Sequence, residues 1–406
     1  MHRALAALAL LTPALVAVAD LPQSQSPPVP VSMPVSRYVG WQSLAELLAA
    51  SYDDVGAPGL AIAVVRSGVT TRAVCGMRRA DGAAAIEPGD RFHIGSLTKS
   101  FTATLVGRLV ELGQVGFEAK AGEVLDDIAM LPAYRDATLA DLLRHRAGLR
   151  NVPTGGIFAA GFGRLDLDTP AAGRLAVVQQ ILQEEPAVEP RTVMSYSNAG
   201  YVVAALMIER QTGSTWEELM RRHVLGPCEL ASADFGWPAR ADRLEQPFGH
   251  FGQGPDLAVQ ELGVNVPGDV DLRVFLAPAG DLSMSIEDLA RYAEVHLRGL
   301  RGQEGILRAA TVRQLHRPPE QDEPGDGYAC GWALATAPDD SERHWHAGSA
   351  GTFYALVTLY PGADLAVVSA SNAGFHAADA HAELHRSVFL ARRQRGGDAR
   401  RDETPR

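Results

Sequence analysis

Ser96 and Lys99 stand three residues apart in the segment Gly95-Ser-Leu-Thr-Lys99. Residues 96–112 carry apolar side chains at helical spacing and stop at Gly113, which predicts a helix that begins at the serine. At this spacing the hydroxyl and the amine lie on one helix face, beside the unpaired N–H groups of the helix start. A lysine that loses its proton in a closed pocket can activate a serine as a nucleophile. Taken alone, the pair could equally be a capping serine followed by a solvent-facing lysine.

Lysine is rare in this chain, which gives Lys99 more weight than the motif alone. Of 37 basic residues only Lys99 and Lys120 are lysines, and only Lys99 has a serine three residues before it, since Phe117 precedes Lys120 at that spacing. The one match therefore stands where a strand-like segment meets a predicted helix.

A second group of reactive side chains is Tyr196-Ser197-Asn198, which precedes a predicted helix. A tyrosine in such a loop can reach into a cleft, where a neighbouring ammonium group can depress the phenol pKa and make it a proton carrier. The Asn198 amide can both donate to and accept from a substrate amide. An aromatic packing residue followed by a helix cap is the alternative interpretation.

The third group is His346-Ala347-Gly348-Ser349, directly before a strongly apolar segment. Glycine lets another backbone or a ligand approach a strand closely, and a free strand edge can pair with an extended substrate. If this segment meets the first one, the N–H groups of Ser349 and Ser96 form an oxyanion hole. An ordinary glycine-rich turn between strands is the alternative.

Short apolar segments near both ends of the chain predict one antiparallel sheet. A hairpin turns at Ser67-Gly68, and strand patterns follow at 60–66, 70–75, 328–335, 344–347, 352–360 and 365–371. Helical patterns occupy 41–53, 139–146, 171–184, 198–211, 215–223, 285–300 and 377–392. The predicted fold class is α+β, with a sheet built from both termini, flanked by helices, and an inserted, mainly helical region.

The N-terminus predicts a secretory signal peptide over residues 1–19. His2 and Arg3 precede an apolar run that closes on Ala17-Val18-Ala19, and a buried helix or membrane anchor is the alternative. A Pro- and Ser-rich linker is expected at 20–37 and a disordered tail at 396–406. The sheet part is expected at 38–95 and 300–395, and the helical part at 96–299. These boundaries predict an exported protein, periplasmic or secreted, without stable membrane insertion.

Together, S-x-x-K at Ser96, Y-x-N at Tyr196 and H-x-G at His346 resemble the motifs of the penicillin-recognising serine hydrolases. The likeness is greatest to the branch with class C β-lactamases, D-alanyl-D-alanine carboxypeptidases and esterases, and it covers nearly all of the chain after the linker. Three further stretches resemble the family: its nucleophile region, its leucine-histidine-glycine-leucine segment and its late helix, at 92–104, 138–149 and 279–290. The resemblance implies a β-lactamase/transpeptidase-like fold.

The resemblance also implies roles for individual residues. Ser96 would attack a carbonyl and become acylated, while Lys99 and Tyr196 would share the proton, with Tyr196 favoured as the general base. Asn198 would hold the substrate amide, and Asn151 would help to position it. His346, Gly348 and Ser349 would line the far wall.

One departure from the family concerns His346, because the β-lactamases of the family carry lysine there. A lysine offers a permanent charge to a substrate carboxylate, whereas a histidine is largely neutral near pH 7. Histidine is found at this position in peptidase members. The substitution favours a peptidase, amidase or esterase over an efficient β-lactamase.

Composition and missing motifs exclude other classes. The 406 residues are 46% hydrophobic and 21% charged, enough to bury a core, and the net charge of −11 disfavours nucleic acid. His344-Trp345-His346 lacks the aspartate of a metal site, and no G-x-S-x-G, Walker or dinucleotide motif occurs. We expect no metal or other cofactor and a small-molecule or peptide substrate. The oligomeric state is left open, and a non-catalytic cell-envelope binding protein is the alternative function.

Three cysteines, Cys75, Cys228 and Cys330, are too few for a disulfide framework. Cys75 and Cys330 both fall in strand-like segments and could be neighbours. Packing thiols are the favoured interpretation.

Overall fold

The structure is a computed structural model that describes residues 37, 38, 40–151, 169–262, 276–320, 322 and 327–401. Its helices, in chain order, are α1 Leu44–Val55, α2 Thr98–Glu111, α3 Ala121–Val124, α4 Pro132–Arg135, α5 Leu139–Leu143, α6 Pro170–Ile181, α7 Asn198–Thr212, α8 Trp216–Met220, α9 Ala277–Gly280, α10 Ile286–Leu300, α11 Ala309–Leu315 and α12 Ala378–Arg401. Its strands are β1 Gly59–Arg66, β2 Val69–Gly76, β3 Arg91–His93, β4 Asp234–Phe235, β5 His250–Phe251, β6 Ala258–Val259, β7 Leu282–Ser285, β8 Gly327–Tyr328, β9 Ala333–Thr336, β10 Glu342–Ser349, β11 Tyr354–Tyr360 and β12 Leu365–Ser371.

Seven strands form one antiparallel sheet in the order β2-β1-β12-β11-β10-β9-β8. Strands from the N-terminal and C-terminal parts of the chain pair next to the β2 edge, where Leu60 of β1 lies opposite Ser371 of β12. The β1–β2 hairpin turns at Ser67 and Gly68, which both have positive φ, as a two-residue hairpin turn requires. The prediction of an α+β fold with a sheet built from both termini is confirmed.

Helices cover both faces of this sheet, and the side chains of β12 contribute to a hydrophobic cluster on each face. Leu365 and Val367 join a cluster with Leu47 of α1 and Leu384 of α12 on one face. The alternate residues 366, 368 and 370 join a larger cluster on the other face, which includes Leu289 of α10. Because side chains alternate along a strand, two buried faces require the continuous apolar run seen in 365–368.

The helical region is built around α2 and α7, most of whose residues are buried. It contains a second sheet, of order β3-β7-β4, which the sequence did not predict. The helix predicted over 285–300 is confirmed as α10, whereas the stretch 279–290, which resembles the family's late helix, is helical only in part, because α9 ends at Gly280 and residues 283–285 pair with β3 as a strand. Helix α10 begins only at Ile286, where the Ser285 side chain accepts a hydrogen bond from the N–H of Asp288.

Two other predicted elements differ from the structure. The segment 328–335 is broken at Gly331, whose φ is +75° and whose position lies against α2: a Cβ there would be 2.6 Å from the Cα of Ser100. At the C-terminus, α12 continues to Arg401, so the expected disordered tail is helical up to that residue.

The cysteines are all free, and Cys75 is not near Cys330 in the sheet. Cys75 lies on edge strand β2, whereas Cys330 follows β8 at the opposite edge, so the two are not the neighbours that the sequence left possible. Cys228 and Cys330 are buried, as packing thiols are.

Within the described residues, no helix has the length and apolar character needed to cross a membrane. The predicted signal peptide at 1–19 lies outside the described residues, as does the linker apart from Arg37.

Candidate active site

Ser96 lies in a 3₁₀ turn, Gly95–Leu97, between β3 and α2. The turn is packed against the end of β10: a Cβ at Gly95 would lie 2.4 Å from the backbone nitrogen of Ser349. Gly95 also has φ +48°, a conformation that side chains rarely adopt. The glycine before the serine therefore allows both the turn and the close approach of the two backbones.

Lys99 is wholly buried in the first turn of α2. Its Nζ lies 2.9 Å from the Oγ of Ser96 and 2.8 Å from the carbonyl oxygen of Ala279. Burial lowers the pKa of Lys99 well below its ordinary value, because the ammonium form loses its hydration. A neutral amine next to a serine hydroxyl is able to take the hydroxyl proton.

Tyr196 reaches Ser96 from the loop that precedes α7, and its hydroxyl lies 2.9 Å from the Oγ of Ser96. Its ring centroid lies 4.8 Å from the Nζ of Lys99. Burial raises the pKa of Tyr196, and the hydrogen bond to Ser96 offsets this only in part. The expectation of a depressed phenol pKa is therefore wrong, because it assumed a lysine that keeps its charge.

Asn198 and Asn151 lie beside each other at the start of α7. The backbone N–H of Asn198 donates to the Oδ1 of Asn151 at 3.0 Å, and Ser197 donates its hydroxyl to the Arg150 carbonyl. These contacts hold the loop that carries Tyr196. The structure brings Asn151 to the site, with its side-chain oxygen engaged by the backbone of the helix start.

His346 on β10 is only 3% exposed and forms a hydrogen bond between its Nε2 and the hydroxyl of Tyr328, at 3.2 Å. Burial and, second, the proximity of Lys99 lower the pKa of His346 to about 3. The imidazole is therefore neutral at pH 7. The ring lies against that of Tyr328, at 5.8 Å between centroids, and offers no charge to a substrate carboxylate at this pH.

Gly348 is the position where β10 comes closest to the nucleophile turn. A Cβ there would lie 1.9 Å from the carbonyl oxygen of Ile94 and 2.7 Å from the backbone nitrogen of Ser96. Strand β9 pairs with β10 only as far as Trp345, so within the described residues the end of β10 has no strand on that side. Ser349 lies at this end, with its backbone against Gly95.

Two contributors to the site were not predicted from the sequence. His145 accepts a hydrogen bond on Nδ1 from the N–H of Ser197, and its ring lies 4.3 Å from that of Tyr196 and 4.8 Å from that of Tyr328. The Ala279 carbonyl holds Lys99. His145 belongs to a segment that resembles the family, but its contact partners lie about fifty residues or more away in the chain, so its role could not be predicted. The Ala279 carbonyl could not be predicted either, because every residue has a backbone carbonyl.

A family model identifies the protein family to which the chain belongs. The family model Beta-lactamase matches residues 44–391, and the chain therefore belongs to this family of penicillin-recognising serine hydrolases.

Two relatives and one solved structure illustrate the range of the similarity. The chain is 26% identical to penicillin-binding protein 4 of Amycolatopsis lactamdurans over 327 residues, which cover 78% of this chain and 81% of the relative. It is 27% identical to the unguisins hydrolase ungD′ of Aspergillus campestris, over 82% of this chain and only 61% of that protein. The fold is similar to that of the octameric penicillin-binding protein homologue from Pyrococcus abyssi, with a TM-score of 0.71, 20% identity and coverage of 86% and 78%.

Proposed function

We propose that the protein is an exported serine hydrolase that acts through an acyl-enzyme at Ser96 on an amide or ester carbonyl. One observation carries the proposal: the Lys99 amine and the Tyr196 hydroxyl each lie 2.9 Å from the Ser96 oxygen. A nucleophile in contact with two proton-transfer groups is the arrangement that covalent hydrolysis needs. The apolar N-terminal segment supports export, which the N-terminal sequence of the secreted protein would test.

The proposed reaction begins with the neutral Lys99. As the Ser96 oxygen attacks the carbonyl carbon, its proton passes to the Lys99 amine, and the N–H groups of Ser96 and Ser349 bind the oxyanion. The protonated Lys99 then gives this proton to the leaving nitrogen or oxygen, either directly or through the Tyr196 phenol, which it reprotonates, so that the amine is neutral again. Water next attacks the acyl carbonyl and gives a proton to the Lys99 amine, and the bond to the Ser96 oxygen breaks as that oxygen takes the proton back and the acid is released. The pKa directions favour Lys99 over Tyr196 as the first proton acceptor.

The charge of the site supports a substrate without a carboxylate next to the scissile bond. Lys99 and the two imidazoles of His145 and His346 all have lowered pKa values, so burial disfavours a positive charge on each of these three groups around Ser96 and Tyr196. A carboxylate would gain little from them. This favours an ester or an uncharged amide over a penicillin or a peptide C-terminus.

The test compares wild-type protein and Ser96→Ala on p-nitrophenyl acetate and on benzylpenicillin, by product release and intact-protein mass. We expect turnover of the ester, a mass shift of one acyl group when deacylation is slow, and loss of both in Ser96→Ala. A Ser96→Ala variant with wild-type turnover would refute the assignment. A wild type that forms no adduct with either compound and releases no product would instead indicate the binding protein.

A further inference from the structure

Beneath the nucleophile turn lies a buried histidine–carboxylate pair that the proposed chemistry does not use. His93 ends β3 two residues before Gly95 and is wholly buried, and Asp281 is 2% exposed. The Nε2 of His93 lies 3.6 Å from the Oδ1 of Asp281. The His93 ring also lies 4.5 Å from the ring of Trp237, measured between centroids.

The other nitrogen of His93 contacts the turn itself. Its Nδ1 accepts a hydrogen bond from the backbone N–H of Gly95 at 3.3 Å. A neutral imidazole that accepts on Nδ1 carries its proton on Nε2, and this N–H is the one that faces Asp281. The ring thus connects the glycine that precedes Ser96 to the carboxylate of Asp281.

Asp281 stands next to the groups that hold Lys99. The carbonyl of Ala279, two residues earlier, binds the Lys99 amine. One residue later, Leu282 accepts a hydrogen bond from the N–H of Ile94 at 2.9 Å and donates its own N–H to the Thr98 hydroxyl at 3.1 Å. The α9–β7 junction therefore contacts the chain on both sides of Ser96.

We propose that His93 and Asp281 are a positioning pair that holds the Ser96 turn and the Ala279 carbonyl in register, so that nucleophile, amine and oxyanion donor keep their geometry. Neither His93 nor Asp281 contacts the substrate or transfers a proton in the proposed reaction. The role rests on the proposed function, since it concerns the alignment of Ser96 and Lys99. A displacement of about 1 Å in such a site can cost about a hundredfold in rate.

Two matched variants at His93 separate the pair's two contacts. His93→Asn places an oxygen where Nδ1 was and keeps an acceptor for the Gly95 N–H, but loses the contact to Asp281. His93→Gln keeps a donor near Asp281 and loses the acceptor for Gly95. With p-nitrophenyl acetate, we expect kcat within about fivefold of wild type for His93→Asn and about a hundredfold lower for His93→Gln. KM should stay within about twofold in both.

A second pair of variants applies the same logic to Asp281. Asp281→Asn keeps a polar oxygen in place of the one that lies 3.6 Å from the His93 Nε2, whereas Asp281→Leu replaces the carboxylate with an apolar side chain. We expect a wild-type-like kcat for the first and about a tenfold loss for the second. Equal kcat values within either matched pair, or a loss confined to KM, would overturn the proposal.

If the variants do not fold, the proposal can still be tested by a measurement on the wild-type protein that does not depend on activity. Nitrogen-15 NMR of the histidine rings in the wild-type protein should show His93 protonated on Nε2 and not on Nδ1. A proton on Nδ1 would overturn the proposal directly. Should the wild type hydrolyse no ester at all, the proposed function would fall while this spectrum still decides the His93 geometry.

Discussion

At the scale of single residues, the charge of Lys99 determines what the site can do. The amine is buried between the Ser96 hydroxyl and the Ala279 carbonyl. Burial disfavours the charged form of both Lys99 and Tyr196, which lowers the pKa of the amine and raises that of the phenol. Burial therefore favours an amine that can accept a proton and a phenol that can donate one.

The pH dependence of turnover should follow from these directions. With Lys99 as base, kcat/KM rises as the amine loses its proton, so the acid limb should lie well below pH 10.5 and a plateau should follow. Tyr196→Phe should lower the plateau about 10²–10⁴-fold and leave the position of the acid limb unchanged. Lys99→Met, also uncharged and buried, should abolish turnover. An acid limb that disappears in Tyr196→Phe would make the phenol the base instead.

A second residue-scale prediction concerns His346, whose buried imidazole carries no charge at pH 7. His346→Lys should raise the acylation rate with benzylpenicillin relative to p-nitrophenyl acetate by about tenfold, because an ammonium group can bind the penicillin carboxylate. His346→Met is the control, since it has similar length and no charge. If both variants change the two rates by the same ratio, His346 does not set the preference for uncharged substrates.

At the scale of elements, the site depends on how closely β10 packs against the turn that carries Ser96. Gly348 and Gly95 are both needed for this contact, since a side chain at either position would overlap backbone atoms of the other segment. The free end of β10 and the N–H of Ser96 are held together by this packing and by the β10–β11 pairing. Catalytic geometry is thus determined by two glycines that carry no chemistry.

Gly348→Ala should show the cost of separating these two elements. We expect the added methyl group to push β10 from the turn, with about 1–3 kcal/mol lost in unfolding free energy and a large loss of kcat. Gly362→Ala, in the turn between β11 and β12, is the matched control because a Cβ there meets nothing within 4 Å. Wild-type kcat in Gly348→Ala would show that the approach of β10 is not limiting.

The elements also show which features a sequence reveals. The β1–β2 hairpin and β12 were predictable because turn residues and unbroken apolar runs are local signals. Strands β3 and β7 are three and four residues long, and they exist because distant segments pair. The reactive residues were predictable from spacing and resemblance, whereas the pKa directions were not. The pKa directions depend on the burial of each group in the folded protein, which the amino-acid sequence does not give directly.

At the scale of the whole molecule, the interior contains an unusual number of histidines. Eight in the described part of the chain are buried and have lowered pKa values because burial disfavours their charged forms: His93, His145, His250, His296, His316, His346, His381 and His385. Several are bonded to one another or to hydroxyls, as His296 is to His316 at 2.9 Å. Folding therefore requires these imidazoles to be neutral.

This predicts a protein that unfolds readily in mild acid. The folded pKa values, about 3 for His93, His296, His346 and His381, lie below the ordinary 6.5, so the unfolded chain binds the additional protons. Their stabilisation is complete above pH 6.5 and is lost as pH falls towards 3, at up to about 1.4 kcal/mol per pH unit for each histidine.

Circular dichroism against pH at fixed temperature measures this transition, which we expect between about pH 4 and 6 because domains are stable by only about 5–15 kcal/mol. Unfolding should take up several protons, and His381→Gln should reduce that uptake by one. A chain that stays folded at pH 3 would contradict the prediction.

The order of strands in the large sheet has a consequence for synthesis on the ribosome. Strand β1 pairs with β2 and β12. Leu60 of β1 cannot pair with Ser371 of β12 until that residue is translated, more than three hundred residues later. Ser96, Tyr196 and His346 likewise leave the exit tunnel far apart in time. The nascent chain therefore cannot complete its site before His346 is translated, or its sheet before Ser371 is translated. A chain released early would have one edge of β1 unpaired and no means of hydrolysis.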